Sequence, residues 1–232
     1  MTTPPAPPPA RAVLLALVVV VPASLLPVAV AGSWTWWEGW ALAAILLGTF
    51  VVSRALVVLW NPDLAGERGR SVSARDTPPW DRVLAPLLAL GGTLIGVAAG
   101  LGVRFGAPPG VSPPVQALGL VAVLAGLALG TWAMLANPFF SGVVRIQSER
   151  GHRVASGGPY RWVRHPGYAA TLLAFIALPA FLGSSWALFP AAVVVAAGIA
   201  RTALEDQFLL DRLDGYREYA ARVRYRLVPG VW

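Results

Sequence analysis

Apolar runs of about twenty residues alternate along the chain with short segments that hold most of its arginines, prolines and glycines. The runs AVLLALVVVVPASLLPVAVA (12–31) and VQALGLVAVLAGLALGTWAML (115–135) each approach the roughly 20 residues that cross a ~30 Å hydrocarbon core. Comparable runs fill 36–60 and 83–103. From Tyr168 to Leu204 the chain is apolar for 37 residues. As one helix this would extend ~55 Å at ~1.5 Å per residue, too long for a bilayer. LGSSW (182–186) supplies a turn near its middle. The pattern predicts an all-α integral membrane protein with about six transmembrane helices, the last two a tight hairpin, and an amphipathic C-terminal helix. A Pro-rich, disordered start is expected over 1–11, with the first four spans within 12–136.

Composition agrees with this reading: 56% of residues are hydrophobic and 12% charged, against roughly 25% charged in soluble domains. The formal charge of +7 does not point to nucleic acid, because the arginines are divided among loops between spans and form no basic domain. They do set an orientation. Of the 18 basic residues, all arginine, only Arg104 falls on one side of the predicted membrane. By the positive-inside rule both termini face the cytoplasm. A competing reading of 12–31 as a signal peptide rests on Ala29-Val30-Ala31, which has the small-x-small form of a cleavage site. The arginine-only basic set and the abundance of Ala, Gly, Pro and Val indicate a GC-rich, bacterial genome, hence a bacterial inner membrane.

The absence of cysteine excludes thiolate chemistry, and with His152 and His165 as the two histidines no metal site is expected. No charged residue lies at the middle of the first four spans and no internal repeat is evident, which argues against a transporter.

The hairpin brings GGPYRWVRHPGY (157–168) beside RTALEDQF (201–208) on the cytoplasmic face. Arg201 and Glu205, four apart, share a helix face, and Asp206 is turned about 100° from Glu205. An interfacial ion pair between Arg201 and Glu205, with Arg161 and Arg164 as headgroup anchors, is the plainer account of these charges. It explains less well a histidine at a span entry surrounded by glycines, proline and two tyrosines. Freed backbone groups, His165, and the rings and hydroxyls of Tyr160 and Tyr168 suit a charged amphiphilic cofactor. S-adenosylmethionine, with a sulfonium that aromatic faces attract and an amine that a carboxylate binds, has that chemistry.

Arg164-His165-Pro166-Gly167-Tyr168, an apolar stretch, then Glu205-Asp206 resembles the hallmark of the isoprenylcysteine carboxyl methyltransferases and related phospholipid methyltransferases. The likeness covers about 137–232 and continues into Gly215, Tyr216 and Tyr219. It implies a catalytic, cofactor-binding region over 137–232 and S-adenosylmethionine bound by Gln147, by His152, Arg153, Val154 and Ala155, by Tyr160, by His165, Pro166, Gly167 and Tyr168, and by Glu205. It also implies that Arg201 contacts the methyl acceptor, so that Arg201, Arg164 and His165 are the candidate catalytic groups. Ala170 stands where the family usually has glycine, Asp206 replaces a second glutamate, and the spacing from Gln147 to His152 is shorter than in eukaryotic members.

An integral-membrane, S-adenosylmethionine-dependent methyltransferase follows, its site cytoplasmic and its lipid-like or small amphiphilic acceptor arriving from the bilayer between spans four, five and six. A carboxylate acceptor would give a methyl ester, whereas an amine or thiol would need His165 or Glu205 as base. The alternatives are an NADPH-dependent membrane reductase related to sterol reductases and a non-catalytic lipid-binding protein. Tyr216 and Tyr219 share one face of the arginine-rich terminal helix, which reads as interfacial packing. NPDLAGERGR (61–70) and DTPPWDR (76–82) are similar to bacterial members of the group and acquire no chemistry from the sequence.

Overall fold

The computed structural model describes residues 9–60, 77–107 and 110–232, with side chains from residue 17 onward. The start of the Pro-rich segment and 61–76, which include all of NPDLAGERGR and the first residue of DTPPWDR, lie outside the described residues. Among those described there is no strand, and the chain is an all-α membrane protein. Its helices are α1 (Pro9–Ala31), α2 (Trp37–Trp60), α3 (Asp81–Ala89), α4 (Gly91–Arg104), α5 (Pro113–Ala136), α6 (Pro166–Phe181), α7 (Leu188–Arg212) and α8 (Tyr216–Arg222). By length and composition α2, α5 and α7 can each cross a membrane, and α3 with α4 forms a fourth such unit bent by 52°. Residues 17–31 of α1 and all of α6 are apolar but shorter.

Pro22 and Pro27 inside α1 do not break it. Pro27 has no N–H for the carbonyl of Ala23, and the hydroxyl of Thr93 on α4 donates to that carbonyl instead, at 3.2 Å. The same face of α4 is stripped to glycine to let α1 approach. A Cβ on Gly100 would lie 2.4 Å from the Pro27 carbonyl oxygen.

The α6–α7 turn is made where the LGSSW pattern puts it. Gly183, at φ 63°, closes α6 with Ser184 N–H on the Pro179 carbonyl and Gly183 N–H on that of Ala180, the paired bonds of a Schellman ending. A short 3₁₀ turn at Ser185–Ala187 then leads into α7. α6 also lies closely along α5: an added Cβ on Gly126 would come within 2.7 Å of the Ala170 carbonyl oxygen, and one on Gly119 within 2.5 Å of the Phe181 nitrogen. Small residues thus allow two apolar backbones to approach, as packing between helices in lipid favours. The buried core gathers Leu42, Ile95, Val123, Phe175, Phe181 and Val194 from α2, α4, α5, α6 and α7.

The terminal helix α8 is 7 residues long. Its Tyr216 and Tyr219 are buried against the loop between α5 and α6, a correction to the interfacial placement expected of them. Their shared face was legible from the spacing; that it turns inward was not.

Candidate functional site

The site begins at the entry to α6. Pro166 occupies the first helical turn, where its missing N–H costs nothing, and it keeps the preceding residue out of helical geometry. His165 accordingly sits at φ −125°, ψ 61°, and its backbone N–H donates to the Arg226 carbonyl at 2.9 Å. Arg164 N–H donates to the Tyr225 carbonyl at 2.9 Å. The C-terminal segment is thereby laid against the Arg-His-Pro motif.

Asp206 on α7, with 0% of its surface exposed, collects this corner of the molecule. Arg164 grips it through Nε (2.7 Å) and Nη2 (2.9 Å), and Arg226 donates from Nε (2.8 Å). The Tyr216 hydroxyl donates to Oδ1 at 2.9 Å, and His165 Nε2 lies 3.0 Å from the same oxygen. The remaining Arg164 nitrogen, Nη1, donates to the carbonyls of Val223 (3.0 Å) and Arg224 (2.8 Å). A buried carboxylate met by two guanidiniums and a phenol is fully satisfied, so this cluster is rigid.

Arg201 and Glu205 share a face of α7, yet each turns to a different partner. Glu205 accepts a short hydrogen bond from the Tyr168 hydroxyl. Arg201 donates from Nε to Asp81 Oδ1 (2.6 Å) and from Nη2 to Asp81 Oδ2 (3.2 Å) and the Gly142 carbonyl (3.0 Å). Its guanidinium carbon also lies 5.3 Å from the centre of the Tyr168 ring. Asp81, 120 residues away in sequence, was not among the expected site residues.

Between these clusters is a cavity of about 330 Å³, within the range of small-molecule sites. The α5–α6 loop contributes His152, Arg153, Val154, Ala155 and Tyr160; the α6 entry contributes Arg164, His165, Gly167 and Tyr168. Arg201 and Glu205 come from α7, Tyr216 and Tyr219 from α8, and Ala85, Leu88 and Ala89 from α3. The structure therefore brings together nearly all the residues singled out from the sequence. Pro166 shapes the helix entry without lining the cavity. Gln147 is also not among the lining residues: it is fully buried, its Nε2 donates to the Phe139 carbonyl at 2.8 Å, and its Oε1 accepts from Arg150.

Gln147 instead supports His152. Its backbone N–H donates to His152 Nδ1 at 3.2 Å, and the Phe139 ring stacks on the imidazole with centroids 4.5 Å apart. Burial, helped by Arg145 and Arg150, lowers the His152 pKa to about 4, so the ring is neutral at pH 7 and Nδ1 is free to accept. Burial likewise raises the Tyr160 and Tyr219 hydroxyls above their ordinary range and keeps both protonated, with Tyr160 accepting from Asn137 Nδ2 at 3.3 Å. Tyr219 uses its proton on the Tyr160 carbonyl at 2.7 Å, fixing α8 to the loop. Asp81, Arg226 and Tyr216 are the functional-site residues that sequence reasoning missed or misplaced. Their signals were weak: an isolated acid before an apolar run, and polar residues in an arginine-rich tail.

The molecule is thus an apolar helical bundle of the membrane-protein class that carries a charged, aromatic-lined cavity. Residues 115–213 match the phospholipid methyltransferase family. Two probable protein-S-isoprenylcysteine O-methyltransferases, from Oryza sativa subsp. indica and subsp. japonica, are each 30% identical over 112 residues. The match covers 47% of this chain and 59% of each relative, so the chain spans somewhat over half the length of the curated relatives it matches. The matched region is thus similar to phospholipid methyltransferases and to isoprenylcysteine O-methyltransferases. Asp81, Tyr216 and Arg226 all lie outside the family match.

Proposed function

We propose that the protein is an integral-membrane methyltransferase that uses S-adenosylmethionine and acts on a lipid-like or small amphiphilic acceptor. The observation that carries this is one cavity shared by His152–Ala155, Tyr160, His165, Gly167, Tyr168 and Glu205 on one hand and Arg201 with the apolar α3 residues on the other. The donor set fits the cofactor. Glu205 accepts one hydrogen bond, from Tyr168, among the described residues, which leaves acceptor capacity for an ammonium or a ribose. Tyrosine rings and a neutral His152 suit a sulfonium without opposing it by charge. When bound, S-adenosylmethionine supplies an electrophilic methyl carbon.

The chain's own residues orient the reactants and exclude water, which can account for much of the rate of an in-line displacement. Arg201 contacts the acceptor, and Leu88, Ala89 and Ala85 take its apolar portion. A carboxylate acceptor needs no base; for an amine or thiol, Glu205 is the group that takes the proton. We assign His165 and Arg164 positioning parts, since Arg164 has every guanidinium nitrogen engaged and His165 Nε2 faces Asp206 and Tyr216. Gln147 acts in this reading through His152. The arginine distribution supports a cytoplasmic site and termini in a bacterial inner membrane.

Binding of labelled S-adenosylmethionine to the purified protein tests the proposal. Glu205→Gln and His165→Ala should lose binding while the protein stays folded, and Arg201→Ala should retain binding and lose turnover. Wild-type affinity in both of the first two variants would overturn the site, and uptake of NADPH in place of S-adenosylmethionine would overturn the class.

A further inference from the structure

None of the chemistry above uses DTPPWDR (76–82), yet Asp81, at the first turn of α3, has 0% exposure. A carboxylate removed from water requires a cation and further donors to offset its desolvation. Asp81 has both. Oδ1 accepts from Arg201 Nε at 2.6 Å, while Oδ2 accepts from Arg201 Nη2 at 3.2 Å and from the Val144 backbone N–H at 2.6 Å. The two-point contact fixes the plane of the guanidinium in a way that a single contact to a carbonyl would not. Tyr168 beside the guanidinium and the Gly142 carbonyl on Nη2 complete the seat.

Two consequences follow from this geometry. The pair is neutral overall, so Arg201 presents an oriented N–H edge to the cavity and not an uncompensated cation. In addition, Val144 belongs to the loop that also carries His152–Ala155, so the same carboxylate ties that loop to α7. We propose that Asp81 is a positioning residue for methyl transfer: it aims Arg201 at the acceptor and holds the acceptor side of the cavity in register with the cofactor side. This rests on the reading of Arg201 as the acceptor contact.

The test uses the full chain in phosphatidylethanolamine–phosphatidylglycerol vesicles containing S-prenylcysteine, which offer amine and carboxylate acceptors together. Asp81→Asn keeps the shape and removes the charge. Labelled S-adenosylmethionine binding should stay within about tenfold of wild type, because the Asp81 oxygens meet Arg201 and Val144 and touch the cofactor residues only through the loop they share. Phenylglyoxal modification of Arg201, followed by peptide mass spectrometry, should accelerate about tenfold or more, since the guanidinium is released from its two-point carboxylate contact and is free to meet the reagent. Methyl transfer should fall about 100-fold in kcat/KM, the scale of a 1 Å misplacement. The double variant Asp81→Asn/Arg201→Gln should be no slower than Arg201→Gln alone, because Asp81 acts through Arg201.

Unchanged Arg201 reactivity in Asp81→Asn, or losses that multiply in the double variant, would overturn the proposal. Asp81→Glu, which retains the charge on a longer arm, provides the same comparison if Asp81→Asn does not fold, and its Arg201 should modify at a rate between wild type and Arg201 in a denatured control. Failure of the wild type to take up S-adenosylmethionine would sink the methyltransferase reading, whereas Arg201 reactivity decides the part played by Asp81 on its own.

Discussion

Replacing Asp206 by Asn leaves the volume of the side chain nearly unchanged and removes its charge from between two arginines. Arg164 is 8% exposed and has lost its counter-charge entirely in this variant; Arg226, 31% exposed, keeps some access to solvent and contributes less. The Asn amide group, a donor, must also face at least one guanidinium or the Tyr216 hydroxyl, which now donate to carboxylate oxygens. Breaking a buried ion pair by neutralising one partner costs about 3–5 kcal/mol. The retained Arg164 bonds to Val223 and Arg224 favour the lower end of that range. For a chain of this size each kcal/mol moves the melting temperature by about 2–4 °C, so the loss is roughly 10 °C. Thermal unfolding of the detergent-solubilised protein measures it, with Asp206→Glu as the charge-preserving control. A melting temperature for Asp206→Asn within about 2 °C of wild type, less than the shift from ~1 kcal/mol, would refute the view that Asp206 organises this corner.

Other perturbations probe other layers. Gly126→Val puts a branched side chain where even a Cβ would lie 2.7 Å from a backbone oxygen, and should destabilise α5 against α6 by about 3 kcal/mol or more, read as lost thermal stability or failed insertion. Thr93→Val removes the substitute donor for the Ala23 carbonyl and should cost about 1–3 kcal/mol, whereas Thr93→Ser should cost less than ~1. His152 has a folded pKa of about 4 against 6.5 in the unfolded chain, so the unfolded state binds more protons between those values. Its stabilising effect is fully present above about pH 6.5 and is lost as pH falls toward 4. Melting curves of wild type and His152→Asn from pH 7.5 to 4.5 should converge on acidification, and parallel curves would count against a neutral His152.

Much of the architecture was legible because it depends on local pattern. Twenty-residue apolar runs, a Gly-Ser-Ser turn at the centre of a long one, and a proline after His165 each dictate structure within a few residues of themselves. The pairing of His165 and Tyr168 with Glu205 and Asp206 followed from one further step, the closing of a hairpin. The identity of individual partners did not follow. Helix spacing offers Glu205 as the neighbour of Arg201, but the carboxylate that meets it comes from Asp81 on α3, and no periodicity connects positions 120 residues apart. Arg226 and Tyr216 escaped for a similar reason: a terminal segment rich in arginine reads as a solvated face until its backbone is seen paired with Arg164 and His165. The prolines of α1 gave a different lesson. Proline inside a helix orphans a carbonyl, and the chain keeps α1 helical at Pro27 by meeting that carbonyl from another helix.

The clasp between Arg164 and the terminal segment also bears on how the protein is made. Arg164 precedes Val223 by 59 residues, and ribosomes add about 5–20 residues per second. For several seconds after α6 has emerged, its entry therefore carries a guanidinium, a histidine and two backbone N–H groups whose partners have not been synthesised. This corner of the site can close only after Asp206, Val223 and Arg224 have been added to the chain.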